Sequence, residues 1–139
     1  MKITTTVGAV LLSVICMTNL SCKKEVTQVV NQVFSATYTI KPTDWVAATN
    51  QDLSYSVNLS VPEIDNIILQ SGGVLVYLSF DNGNNFEAIP EEFGGISYGA
   101  VHSLGSVSLD FHAVDGVSPV SPPTANVLAK VVLLDGSPL

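Results

Sequence analysis

A chain of 139 residues with 12 acidic and five basic side chains carries a formal charge of −7. The bases, Lys2, Lys23, Lys24, Lys41 and Lys130, are all lysines, so the basic face a nucleic acid requires cannot be built, and no guanidinium fork is present for a phosphate or carboxylate substrate. The length suits one domain rather than two.

The chain opens on Lys2 and an apolar run from Val7 to Met17, broken only by Gly8 and Ser13. A run this short falls below the roughly 20 residues that span a bilayer and matches the core of an export signal. Leu20-Ser21-Cys22-Lys23-Lys24-Glu25 follows. This stretch resembles the lipobox of bacterial lipoproteins, in the relaxed form with Leu two before the cysteine and Asn19 where an aliphatic residue is usual. The resemblance implies cleavage after Ser21 and acylation of Cys22. It predicts a signal peptide over residues 1–21, a tether over 22–32 and a domain over 33–139. Cys16 would leave with the signal, so no disulfide could form within the mature chain. Lys23 and Lys24 would lie beside the anchor, near anionic head groups. Lys-Lys-Glu also resembles the charged tethers that route some such lipoproteins to the cell surface; an ordinary solvated linker is the other reading. The acidic body is expected to disfavour a second membrane contact.

Phe34, Ala36, Tyr38 and Ile40 alternate with Ser35, Thr37 and Thr39, the period-two pattern of a half-buried strand. Pro42 ends it, and residues 43–52 read as a loop or short edge strand. Leu53 to Val61 alternates again. Pro62 then suits a first helical turn, Ile64, Ile67 and Ile68 share one helix face, and Gly72-Gly73 stops it, which predicts a helix of about two turns. Val74 to Phe80 is apolar at nearly every position, which predicts a central strand buried on both faces. Asp81-Asn82-Gly83-Asn84 is a turn signal, and Phe86 to Pro90 returns as the partner. Glu91 to Gly99 reads as a loop and Ala100 to Leu104 as a short strand. Val107, Leu109, Phe111 and Ala113 form one strand face. Three prolines mark residues 118–124 as a surface loop. Val127, Ala129, Val131 and Leu133 face inward on the last strand. Six to eight strands at roughly ten-residue spacing predict an all-β fold, a single antiparallel β-sandwich with one short helix.

Few constellations carry chemistry. Ser79, Asp81, Gly83 and Phe86 match the Asp-box pattern, S-x-D-x-G-x-x-aromatic, whose content is local turn structure. The same segment offers oxygen ligands from Asp81, Asn82, Asn84 and Glu87, but without EF-hand spacing. Asp110 and His112 share a strand face, and with His102 they would make a base or metal site if the three converged; a polar outer face is the alternative. Glu91-Glu92 reads as a solvated loop pair. Trp45, Tyr55, Tyr77 and Tyr98 are candidate stacking residues for a ligand.

Gly73 to Leu78, the following turn, Phe86 to Pro90, Tyr98 and Val131 to Leu134 together resemble a small β-domain of uncharacterised Bacteroidota lipoproteins. That resemblance covers about residues 33–136. It implies a lipid-anchored protein of the outer membrane, on its periplasmic face or at the cell surface. The expected role is non-catalytic binding or structural support, with no cofactor or metal and with a protein or glycan as partner. A carbohydrate-binding module using Trp45, Tyr77 or Tyr98 is the first alternative. A hydrolase using His102, Asp110 and His112 is the second.

Overall fold

The computed structural model describes residues 33–48 and 52–136. The predicted export signal and tether, with Cys22, lie outside the described residues. Nine strands and one helix follow in order: β1 (Val33–Ile40), β2 (Val46–Ala47), β3 (Ser54–Ser60), α1 (Asn66–Ser71), β4 (Gly73–Ser79), β5 (Glu87–Ile89), β6 (Glu91–Phe93), β7 (Ile96–Ser103), β8 (Ser106–Ala113) and β9 (Val127–Leu134). They form two sheets, ordered β1-β9-β4-β5 and β2-β3-β8-β7-β6. Every pairing is antiparallel. The fold is the all-β sandwich with one short helix that the alternating segments predict.

Side chains directly opposite one another in an antiparallel pair share a face. In the first sheet, register aligns Ile40 with Val127, Tyr38 with Ala129, and Val131 with Val76. In the second it aligns Tyr55 and Tyr98 on either side of Phe111. These rows face each other as one apolar core. Phe111 is its aromatic centre. The Trp45 ring meets it edge-on at 5.0 Å, Tyr55 stacks on it at 5.5 Å, and Tyr98 tilts against it at 5.9 Å. Such geometries add about 0.5–1.5 kcal/mol per pair beyond the area they bury.

Three local expectations are corrected. The helix does not start at Pro62. Asp65 caps it, accepting from the backbone N–H groups of Ile67 and Ile68 at 2.9 Å, so α1 is a single six-residue segment. Ile64 and Ile68 are buried, while Ile67 is 53 % exposed. Gly72 ends the helix because the chain passes close to β9: a Cβ there would lie 2.4 Å from the Leu134 carbonyl oxygen.

β4 is not covered on both faces. Val76 and Leu78 point into the core, but Leu75 is 45 % exposed on the outer face. Finally, Glu91 to Gly99 is not a loop. β6 and the start of β7 form a hairpin around Gly94 and Gly95, both at positive φ.

Truncating Phe111 to Ala should cost about 3–5 kcal/mol in urea unfolding, the range for a large buried aromatic. Ser108→Ala, on the outer face of the same strand, should change stability by less than about 0.5 kcal/mol. Equal losses for the two variants would contradict the assignment of faces on β8.

Candidate functional site

Only Pro90 separates β5 in the first sheet from β6 in the second. Both strands sit at sheet edges, on the same side of the sandwich. Register places Glu87 opposite Leu78 and Glu91 opposite Tyr98, which are both inward-facing positions. Two carboxylates therefore point toward the space between the sheets, where an apolar pair would be usual. Glu87 lines a groove of about 320 Å³ together with Leu78, Phe80, Asp81, Asn85, Phe93 and Tyr98, and Glu91 lies beside Glu87.

The electrostatics of this mouth follow from its burial. Glu91 is half-buried, and its Oε1 is shut off from solvent without a hydrogen-bond partner. Loss of hydration pushes its pKa up, and the neighbouring Glu87 carboxylate pushes it further by sharing a hydrogen bond and by like charge. The Tyr98 hydroxyl is raised in turn, first by burial and then by Glu91 and Glu87. A protonated Glu91 can thus donate a hydrogen bond to Glu87, whose carboxylate faces the groove. Phe80 lies against Tyr98 at 5.4 Å, so the groove offers aromatic surface beside these oxygens.

The Asp-box-like segment forms the groove's other wall. Asp81 Oδ1 accepts from the Ser79 hydroxyl at 2.8 Å and from the Asn85 backbone N–H at 2.9 Å, while Oδ2 accepts from the Asn85 amide at 2.6 Å. The Ser79 hydroxyl accepts from the Gly83 N–H at 2.9 Å. The bonds from Asn85, then that from Ser79, hold the Asp81 carboxyl below its ordinary pKa. Asn82 and Gly83 both take positive φ, and Phe86 packs beneath Lys130, whose Nζ lies 3.9 Å from the ring centre. The loop is closed by its own hydrogen bonds, which engage both carboxylate oxygens of Asp81.

The other sequence candidates are dispersed. Trp45 is 7 % exposed and sits in the core, so it presents no free ring to a ligand. Tyr55 stacks inside against Phe111, and its hydroxyl donates to Asp52 at 3.0 Å. Tyr77 lies on the outer face of the first sheet beside Lys130. Of the four aromatics, Tyr98 alone lines the groove. Asp110 and His112 approach to 3.8 Å on the outer face of β8. His102 pairs with Val107, an inward-facing position, so it belongs to the opposite face of that sheet. The three do not form one cluster, and among the described residues no group of three or more His, Cys, Asp or Glu is placed to hold a metal.

Sequence reasoning named Glu87 only as a turn ligand and Glu91 only as part of a loop pair, and missed that the two meet. A signal existed in the parity of Glu87 with Ile89. The expectation of a solvated loop for Glu91 hid the rest. Comparison with family models, curated proteins and solved structures finds no match for this chain.

Glu91→Gln should stabilise the fold at neutral pH by about 0.2–1 kcal/mol, the scale of a like-charge neighbour removed from a sheet. The sign follows from linkage. A carboxyl whose folded pKa is raised binds its proton more tightly when folded, so wild-type stability rises as pH falls toward the folded pKa. The advantage of Gln should shrink between neutral and acid pH. A thermal-melt difference that is constant with pH, or that grows in acid, would contradict the arrangement.

Proposed function

We propose that the protein is a lipid-anchored protein of the bacterial outer membrane, on its periplasmic face or at the cell surface, whose β-sandwich is a non-catalytic binding module. The observation that carries this reading is Leu20-Ser21-Cys22 placed directly after a short apolar run and Lys2. Acylation of Cys22 with several chains supplies enough buried methylenes, at about 0.8 kcal/mol each, for stable anchoring. The domain start at Val33 leaves a short tether between lipid and sandwich. Among the described residues no helix is long and apolar enough to cross a membrane. The separation of His102 from Asp110 and His112 supports the non-catalytic reading over a hydrolase.

The β5–β6 groove is the seat proposed for a small ligand or a partner's side chain. A glycan is the second reading, and the groove favours it in one respect: Tyr98, Phe80 and Phe93 set ring surface beside the Asp81, Asn85 and Glu87 side chains. A sugar would use the rings for its apolar face and the oxygens and amide for its hydroxyls.

Cells fed labelled palmitate should incorporate it into the wild-type chain, which should fractionate with membranes. The Cys22→Ala chain should take up no label and lose membrane fractionation. A Cys22→Ala chain that still labels or still sediments with membranes would contradict lipid anchoring at this residue.

A further inference from the structure

The two outer faces of the sandwich differ in chemistry. On the second sheet, the outward positions of β3 and β8 are Ser54, Ser56, Asn58 and Ser60, then Ser106, Ser108, Asp110 and His112. On the first sheet, the outward positions of β9 and β4 are Leu128, Lys130, Val132 and Leu134, then Leu75 and Tyr77. On β1 the outward positions are Val33, Ser35, Thr37 and Thr39, so the face is apolar along β9 and β4 and uncharged but polar along β1, with Val33 beside Leu134 at its corner. The outward positions of β1, β4, β5 and β9 include no Asp or Glu, although the chain has 12 acids. The single charge among them is Lys130, whose ammonium rests over the rings of Phe86 and Tyr77 at 3.9 and 5.3 Å. Leu75 and Leu134 stay 45 % and 37 % exposed. The acidic body as a whole disfavours a second membrane contact, but this one sheet face is free of carboxylate.

We infer that this face lies against a lipid surface carrying anionic head groups, with the Cys22 anchor holding it there. The inference rests on the lipid-anchor reading above. Three observations favour lipid over other occupants. The first is connection: Val33 lies at the corner of the face, and the eleven residues from Cys22 to Val33 reach at most about 40 Å, so an anchored domain stays beside the bilayer.

The second is charge. A face without carboxylates and with a lysine beside an aromatic pair suits an anionic interface, where tyrosine rings and lysine heads settle at head-group level. Asp110 lies on the second sheet, Asp81 in the turn after β4, and Glu87 and Glu91 turn inward at the β5–β6 edge, so none of the four lies on this face. The third is area. Three long strands of about eight residues, spaced about 4.8 Å apart, cover roughly 400 Å², half of the roughly 800 Å² per partner that a stable complex buries. A second copy would be held weakly. A bilayer presented at high effective concentration by a covalent tether needs no such area.

The test uses the acylated full-length protein purified from membranes and reconstituted into vesicles of phosphatidylethanolamine and phosphatidylglycerol. Leu75→Cys on the proposed contact face and Val101→Cys on the outer face of β7 each carry an environment-sensitive dye. Val33→Cys, at the corner of the contact face, provides a second reading should the Leu75 variant not fold. Nitroxide-bearing lipids should quench the dye at 75 and 33 several-fold more than at 101, and aqueous iodide should do the reverse. Equal iodide quenching at all three positions in a vesicle-bound protein would overturn the inference while leaving the anchor reading intact. A dye at 75 that is shielded from both quenchers, with cross-links between copies through that position, would assign the face to a second copy instead. A wild-type chain that carries no acyl group would overturn both readings.

Discussion

Two rows of side chains, Val107–Leu109–Phe111–Ala113 on β8 and Val127–Ala129–Val131–Leu133 on β9, occupy the middle of the two sheets and are buried throughout. Each strand is hydrogen-bonded on both sides, β8 by β3 and β7 and β9 by β1 and β4. The two cysteines of the chain, Cys16 and Cys22, both precede the sandwich, so no disulfide can lie within it and apolar burial must join the two sheets. Phe111 concentrates that burial by gathering Trp45, Tyr55 and Tyr98 around one ring. The remaining architecture is arranged around this contact.

The edges follow different rules because fewer neighbours constrain them. At β5 and β6 the chain changes sheet across one proline, and the inward positions hold Glu87 and Glu91 instead of aliphatic residues. Burying a carboxyl near another carboxyl is unfavourable, and it persists here only because the core does not depend on that edge. Local strain of this kind is often kept for binding. The Asp81 loop beside it is the opposite case: its polar groups pair with one another, and the result is a rigid wall.

Much of the sandwich was legible in the sequence where a strand is buried on one face only. The alternation in β1, β3, β8 and β9 identified the inward residues, and each of Val107, Leu109, Phe111, Val127, Ala129, Val131 and Leu133 is in the core. Legibility failed where the pattern and the environment part. β4 reads as doubly buried because its outer face is also apolar, yet Leu75 faces out. β6, β7 and the turn between them carry Glu91, Glu92, Gly94, Gly95 and Gly99, a composition that suggests a loop, while pairing of β6 with β7 and of β7 with β8 makes the two segments strands. The short helix was placed too early because Asp65, rather than Pro62, supplies the cap. The groove was invisible for a different reason: Glu87 and Glu91 meet only when two sheets close on each other, and no local spacing encodes that.

Three surfaces with different chemistry therefore radiate from one core: a polar outer sheet, an outer sheet free of carboxylate and a carboxylate-lined edge. Their separation depends on the core holding both sheets as one unit, with β8 and β9 as its most stable strands. Native-state hydrogen exchange, resolved by residue, tests this most directly. Amides of β8 and β9 should exchange slowest and with a common free energy equal to that of global unfolding, while those of β2, β5 and β6 should exchange faster by local opening. Two sheets that exchange as independent units, or β8 and β9 amides no slower than those of the edge strands, would contradict the account.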